Sequence, residues 1–98
     1  MIQIAIADDD AVFLAKIEKY VRKYQEENNT DIQLTTFSDA KELIEGYHPV
    51  YDIVILDIEM PGMNGMEAAE KIRQTDENVV LMFITNMIQY AICLLYTS

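Results

Sequence analysis

The 98 residues suit one small domain with a single hydrophobic core, because 51% of them are hydrophobic. Seventeen acidic and seven basic side chains give a formal charge of -10, which argues against nucleic-acid binding by this segment, since phosphate contacts need clustered Lys and Arg. The N-terminus lacks the basic flank of a signal peptide, and no apolar run could cross a bilayer. We therefore predict a cytoplasmic protein with no membrane contact.

The single cysteine, Cys93, lies in an apolar run, which favours a small buried hydrophobe over a reactive thiol.

Hydrophobic periodicity predicts strands that alternate with helices along the chain. Short apolar runs indicate strands, and apolar residues that recur every 3.6 residues indicate helices. This alternation is typical of a parallel sheet with helices on both faces. We predict an α/β domain with a doubly wound parallel sheet; if its strand order is 2-1-3-4, the order that the family resemblance described below implies, the first and third strands are neighbours. The predicted strands are Ile2–Ala7, Ile32–Phe37, Asp52–Leu56 and Val79–Ile84.

Three features of the predicted helices concern their caps and their apolar faces. Ser38 is predicted to cap the second helix, with Asp39 in its first turn. A helical pattern from Met87 is apolar around nearly its whole circumference. A narrow stripe of small residues lets the third helix approach the sheet closely, and it consists of Gly65, Ala68, Ala69 and Ile72.

Carboxylates follow two of the predicted strands. Asp8 and Asp9 close the first strand, and Asp57 closes the third. Neighbouring parallel strands lie about 4.8 Å apart and their carboxyl ends share one crevice, so these acids should lie together. Mg²⁺ prefers carboxylate oxygens and would relieve their repulsion. Thr85, which closes the fourth strand, would add a hydroxyl able to donate to a phosphoryl oxygen.

Each of these residues also has a purely structural explanation. Asp8 and Asp10 could simply cap the first helix, and Asp57 could cap the turn that follows it. Thr85 could be an ordinary residue at a strand end. The coincidence of so many side-chain oxygens at one sheet edge favours a site. The lone His48 is interpreted as an exposed loop residue rather than a phosphorelay histidine.

Three motifs resemble the receiver domain of bacterial two-component response regulators, a flavodoxin-like fold. They are "IADDD", "ILDIEMPGMNG" and "FIT", and the resemblance covers Ile2 to about Ile92. It implies a signalling domain, not a conventional enzyme, that accepts a phosphoryl group from a sensor histidine kinase. "FITNMIQYAI" is most similar to receivers that precede a LytTR-type DNA-binding domain. This implies a transcriptional output through an effector domain that is absent from the chain.

The resemblance also assigns roles to the residues of the acidic site. Asp57 resembles the phosphoacceptor of a Mg²⁺-dependent reaction. Asp8 and Asp9 resemble the acids that bind Mg²⁺, together with Asp57 and the backbone carbonyl of Glu59. Thr85 resembles the switch residue that moves toward the phosphoryl group.

The C-terminal end departs from the family pattern. Receivers carry a Lys on a fifth strand that pairs with the phosphoryl group, and no such residue is present. We interpret residues 1–92 as an incomplete receiver that lacks the fifth strand and last helix, and residues 93–98 as a divergent tail outside the fold. The fourth strand would then be an apolar edge strand with unpaired backbone groups. This edge, together with the apolar helix that follows it, predicts self-association. All seven basic residues fall in predicted helices: Lys16, Lys19, Arg22, Lys23, Lys41, Lys71 and Arg73.

Three other functions are compatible with an acidic residue at the end of a buried strand or with this type of sheet. The missing Lys leaves open an interaction module of the same fold that takes no phosphate, or an inactive fragment. A phosphatase of the haloacid dehalogenase type also has a nucleophilic Asp after a buried strand, but it needs Asp-x-Asp, where this chain has Glu59. Flavin binding would need a hydroxyl-rich loop after the first strand, where this chain has three acids.

Overall fold

The computed structural model describes residues 1–60, 62–84 and 94–96. The elements in chain order are β1 (Ile2–Ala7), α1 (Ala11–Asn28), β2 (Ile32–Phe37), α2 (Ala40–Glu45), β3 (Ile53–Asp57), α3 (Gly65–Thr75), β4 (Val80–Ile84) and β5 (Leu94–Tyr96). They form one sheet of order β2-β1-β3-β4-β5, in which β1 to β4 are parallel. The predicted α/β fold and the strand order 2-1-3-4 are confirmed.

Two strands, β3 and β4, differ from the prediction, each boundary by no more than one residue. β3 begins at Ile53 and includes Asp57, and β4 begins at Val80. The shift matters for Asp57, because its backbone is part of the sheet, where it pairs with Ile84. A strand holds its backbone more firmly than a loop does, so Asp57 has a fixed position relative to β4.

The core lies between one face of the sheet and the helices α2 and α3. Leu43, Leu56 and Leu81 are completely buried there. The predicted small-residue stripe of α3 is confirmed, because its four members are the buried residues of that helix. The helix α1, by contrast, has no buried residue among its 18. The stability of the domain therefore depends mostly on the α2–α3 side of the sheet.

The edge of the sheet beside β4 differs from the prediction, because β5 occupies it. Leu94–Tyr96 pairs antiparallel with β4, opposite Leu81, Met82 and Phe83. The prediction of an open β4 edge is wrong at these positions, and residues 94–96 belong to the sheet rather than to a tail outside it. Unpaired backbone groups of an apolar edge strand favour such pairing. The helix predicted from Met87 is wrong at Leu94 and Leu95, which lie in β5, and the rest of it lies outside the described residues. The predicted self-association stays a prediction.

The cap of α2 is also different from the prediction. Asp39, and not Ser38, is the N-cap residue, and its Oδ1 accepts the amide N–H of Glu42 at 2.7 Å. Ser38 donates its hydroxyl to a carboxylate oxygen of Glu42 at 3.0 Å instead. Both residue types are good caps, so sequence preference alone does not choose between them.

Substitution of the two candidate caps distinguishes their contributions to stability. We expect Asp39→Ala to lower the free energy of unfolding by about 1 kcal/mol, because an amide of the first turn loses its acceptor. Ser38→Ala removes only an exposed side-chain contact and should cost less. Urea denaturation followed by circular dichroism measures both values, and a larger loss from Ser38→Ala would show that the cap is assigned to the wrong residue.

Candidate metal site

Three carboxylates meet at the edge of the sheet where β1 and β3 end. The two strands pair with Ala7 opposite Leu56, so Asp8 and Asp57 come next on neighbouring strands. Asp8, Asp9 and Asp57 each offer one oxygen within 4.8 Å of the other two. The structure thus brings together the three acids that the sequence predicts to share one crevice.

Asp8 is held by the ends of β1 and β2. Its N–H donates to the carbonyl of Phe37 at 3.1 Å, and its Oδ1 accepts the N–H of Asp10 at 2.8 Å. Asp10 is the residue that caps α1, through the amides of Val12 and Phe13. The capping explanation considered for Asp8 and Asp10 therefore holds for Asp10 and not for Asp8.

The carboxylate of Asp8 is incompletely satisfied. Its side chain is fully buried, and Oδ2 has no hydrogen-bond partner among the residues that the structure describes. Burial raises the pKa of Asp8 to about 6, with further increases from the charges of Asp57, Asp9 and Asp10, while the Asp10 amide opposes the shift. A buried carboxylate oxygen with no donor costs stability unless something else compensates it.

Asp57 is equally buried at the end of β3. Its Oδ1 accepts the N–H of Glu59 at 3.1 Å, while the next amide, of Ile58, donates to the carbonyl of Ile84 at 2.9 Å. Burial raises the pKa of the Asp57 carboxyl, the Glu59 amide lowers it, and the charge of Asp9 raises it again. The site therefore concentrates negative charge that its own hydrogen bonds neutralise only in part.

This donor set fits a hard divalent cation. Mg²⁺ binds carboxylate and carbonyl oxygens at about 2.0–2.1 Å, so its ligand atoms lie about 3–4 Å from one another. One oxygen each of Asp8, Asp9 and Asp57 lies within 4.8 Å of the other two, which is close enough for small side-chain movements to bring them around one cation. A cation would supply the missing partner for the Asp8 oxygen and would offset the charge of the cluster.

Comparison with known proteins identifies the family. The family model of the response regulator receiver domain matches residues 4–95. The chain belongs to this family. It is therefore a receiver domain of the kind found in two-component systems, and its acidic edge corresponds to the motifs that suggested the family.

Individual relatives share this domain but are longer. The receiver is 31% identical to the transcriptional regulatory protein NatR of Bacillus subtilis, over 94% of the chain and 38% of NatR. It is 35% identical to the sensory transduction protein LytT of Oceanobacillus iheyensis, over 93% of the chain and 37% of LytT. The chain thus spans less than two fifths of these relatives. The response regulator DrrB of Thermotoga maritima has the same fold, with a TM-score of 0.72 at 22% identity over 87% of the chain and 36% of DrrB.

Predictions were also made for Thr85, Glu59, His48 and the seven basic residues, and the structure tests some of them. Thr85 falls outside the described residues, and the ligand role of the Glu59 carbonyl stays a prediction. His48 is exposed, as predicted. All seven basic residues lie in α1, α2 or α3, which confirms their predicted placement. No helix in the described part of the receiver combines the length and apolar character needed to cross a membrane.

Two interactions of the receiver were not predicted. Asn64 caps α3 by accepting the N–H of Glu67 at 2.9 Å, and the Glu67 carboxylate accepts the Asn64 N–H at 3.5 Å. The spacing Asn-x-x-Glu before an apolar stripe is a readable signal for this capping box. Tyr47 donates its hydroxyl to Asp76 at 2.7 Å, and burial together with this contact raises the pKa of Tyr47. Nothing local indicates that pair, since 29 residues separate its members.

Proposed function

We propose that a sensor histidine kinase phosphorylates Asp57 in a Mg²⁺-dependent reaction and that this modification switches an output. The position of Asp57 carries the proposal. Its carboxylate is fully buried, and one of its oxygens lies within 4.8 Å of oxygens of Asp8 and Asp9. Burial raises the pKa of both Asp8 and Asp57, and buried acids with raised pKa values are typical of functional sites.

The proposed chemistry is a phosphoryl transfer to a carboxylate. An oxygen of Asp57 attacks the phosphorus of a phosphohistidine, and the P–N bond breaks as the new P–O bond forms. The imidazole nitrogen leaves with the electron pair of the broken bond. With a small acyl phosphate as donor, a P–O bond breaks in its place and a carboxylate leaves.

Other residues of the site stabilise the added charge. Asp8, Asp9, Asp57 and the carbonyl of Glu59 would hold Mg²⁺, which when bound offsets the negative charge of the phosphoryl group. The hydroxyl of Thr85 would donate to a phosphoryl oxygen. The phosphorylated aspartate then biases a two-state surface that a partner recognises.

The proposed output is the regulation of transcription, and the proposed location of the receiver is the cytoplasm. The printed names of NatR and LytT describe a transcriptional regulator and a sensory transduction protein. Their additional length leaves room for an effector domain beyond the part that corresponds to this chain. The similarity to LytT supports an effector of the LytTR type, and direct contact of the receiver itself with nucleic acid is not proposed because of its charge of -10.

Intact-mass spectrometry tests the phosphoacceptor directly. After incubation with Mg²⁺ and acetyl phosphate, we expect the wild type to gain the mass of one phosphoryl group and Asp57→Asn to gain none. Asp52→Asn is a matched control, because Asp52 is an exposed carboxylate at the opposite end of β3 whose loss should leave the mass gain intact. Equal labelling of the wild type and Asp57→Asn would show that a different residue accepts the phosphoryl group.

One observation favours a second candidate. No Lys or Arg occurs between Arg73 and Ser98. A receiver-fold interaction module that takes no phosphate is consistent with this. A folded wild type that binds Mg²⁺ but gains no phosphoryl group would support the module over the phosphoacceptor.

A further inference from the structure

We infer that Gly65 is a positioning residue for Asp57, an inference that rests on the proposed function. Gly65 is the first residue of α3 and is buried against the end of β3. Its amide N–H donates to the carbonyl of Ile58 at 3.3 Å. The N-terminus of α3 is thereby attached directly to the backbone that carries the phosphoacceptor.

The structure leaves no room for a side chain at position 65. A Cβ there would overlap the carbonyl oxygen of Asp57, and it would lie 3.0 Å from the carbonyl carbon of Asp57 and 3.2 Å from the Cα of Ile58. All three are backbone atoms, so a change of rotamer cannot move them away. To admit a methyl group, either α3 or the backbone of Asp57 has to shift.

Neither partner of this contact is free to move by itself. On the sheet side, Asp57 pairs with Ile84, and the N–H of Ile58 donates to the carbonyl of Ile84. On the helix side, the capping box of Asn64 and Glu67 fixes the first turn of α3. The contact between Gly65 and the Asp57 carbonyl is therefore held from both sides, and a Cβ at position 65 would strain backbone that other hydrogen bonds fix.

Displacement of the Asp57 backbone would separate its carboxylate from those of Asp8 and Asp9. Mg²⁺ requires nearly ideal octahedral geometry, and a misplacement of about 1 Å in a reacting group costs about 100-fold in rate. The helix propensity of Ala at position 65 works in the opposite direction, because Ala is a better helix former than Gly. Loss of function in Gly65→Ala would thus reflect the contact with Asp57 and not a weaker helix.

Calorimetric Mg²⁺ titration of the metal-free protein separates these effects. We expect Gly65→Ala to lower the Mg²⁺ affinity by at least about tenfold and to slow labelling by acetyl phosphate. Gly46→Ala is the matched control, because a Cβ at Gly46 meets no atom of the described residues within 4 Å, and its affinity should stay within about twofold of the wild type. Folded Gly65→Ala with wild-type affinity would overturn the inference, whereas a wild type that binds no Mg²⁺ would overturn the proposed function.

Amide hydrogen exchange of the wild type provides a second measurement that needs no variant. If Asp57 and Gly65 are coupled, Mg²⁺ should slow the exchange of the Gly65 amide by about fivefold more than that of the α2 amides. This readout applies if Gly65→Ala does not fold. If Mg²⁺ slows the exchange of the α2 amides and of the Gly65 amide equally, the N-terminus of α3 is not coupled to the metal site, and the inference would be wrong.

Discussion

Replacement of Asp8 by Asn is expected to weaken Mg²⁺ binding by about 100-fold and to stabilise the metal-free receiver at pH 7.5 by about 2 kcal/mol. The two effects have one origin. Asp8 is a buried carboxylate whose Oδ2 has no hydrogen-bond partner in the described part of the chain, and its neighbours Asp9 and Asp57 are also acidic. An amide of the same shape removes the buried charge and adds donors, but it is a poorer ligand for a hard cation.

Calorimetric titration with Mg²⁺ and urea denaturation without it measure the two effects of Asp8→Asn. Asp31→Asn serves as the control, because Asp31 is exposed and immediately precedes β2, at the end of the strands that lies away from the acidic site. It removes the same charge and should produce neither effect. Unchanged Mg²⁺ affinity in Asp8→Asn would contradict the proposed ligand role of Asp8.

The metal-free receiver is expected to be more stable at pH 5 than at pH 7.5. Asp8 has a pKa of about 6 in the folded state against an ordinary value of 3.8, so the folded state binds a proton more tightly than the unfolded state. The stability that Asp8 contributes is fully present below about pH 4 and is lost as the pH rises through about 6, by about 3 kcal/mol in total. Asp57 acts in the same direction, because its pKa is raised as well.

Mg²⁺ should reverse this pH dependence. The cation binds the deprotonated carboxylates, so it stabilises the folded state at pH 7.5 more than at pH 5. Urea midpoints at both pH values, with and without saturating Mg²⁺, test the expectation. The difference between the wild type and Asp8→Asn isolates the contribution of Asp8 from those of the other carboxylates. If metal-free wild type and Asp8→Asn show the same dependence on pH, the burial of an ionised Asp8 is not the cause.

The sequence alone was sufficient for the architecture and for the location of the acids. Hydrophobic periodicity is local, so β1 and β2 were predicted to the residue and β3 and β4 to within one. The meeting of Asp8, Asp9 and Asp57 followed from the fold class, because the carboxyl ends of neighbouring parallel strands share one edge. Both results depend on the sequence pattern and the strand order, and not on the positions of individual side chains.

Only the tertiary structure decided which polar atoms have partners and how closely the backbones approach. The choice of Asp39 over Ser38 as a cap depends on angles that sequence preferences do not contain. The pairing of β5 with β4 and the contact of Tyr47 with Asp76 join distant residues, for which the sequence carries no local signal. The missing space at Gly65 and the unpartnered oxygen of Asp8 are likewise properties of the packed site. Periodic patterns specify which face of an element is buried, whereas hydrogen bonds and close contacts depend on distances that arise only when the elements pack together.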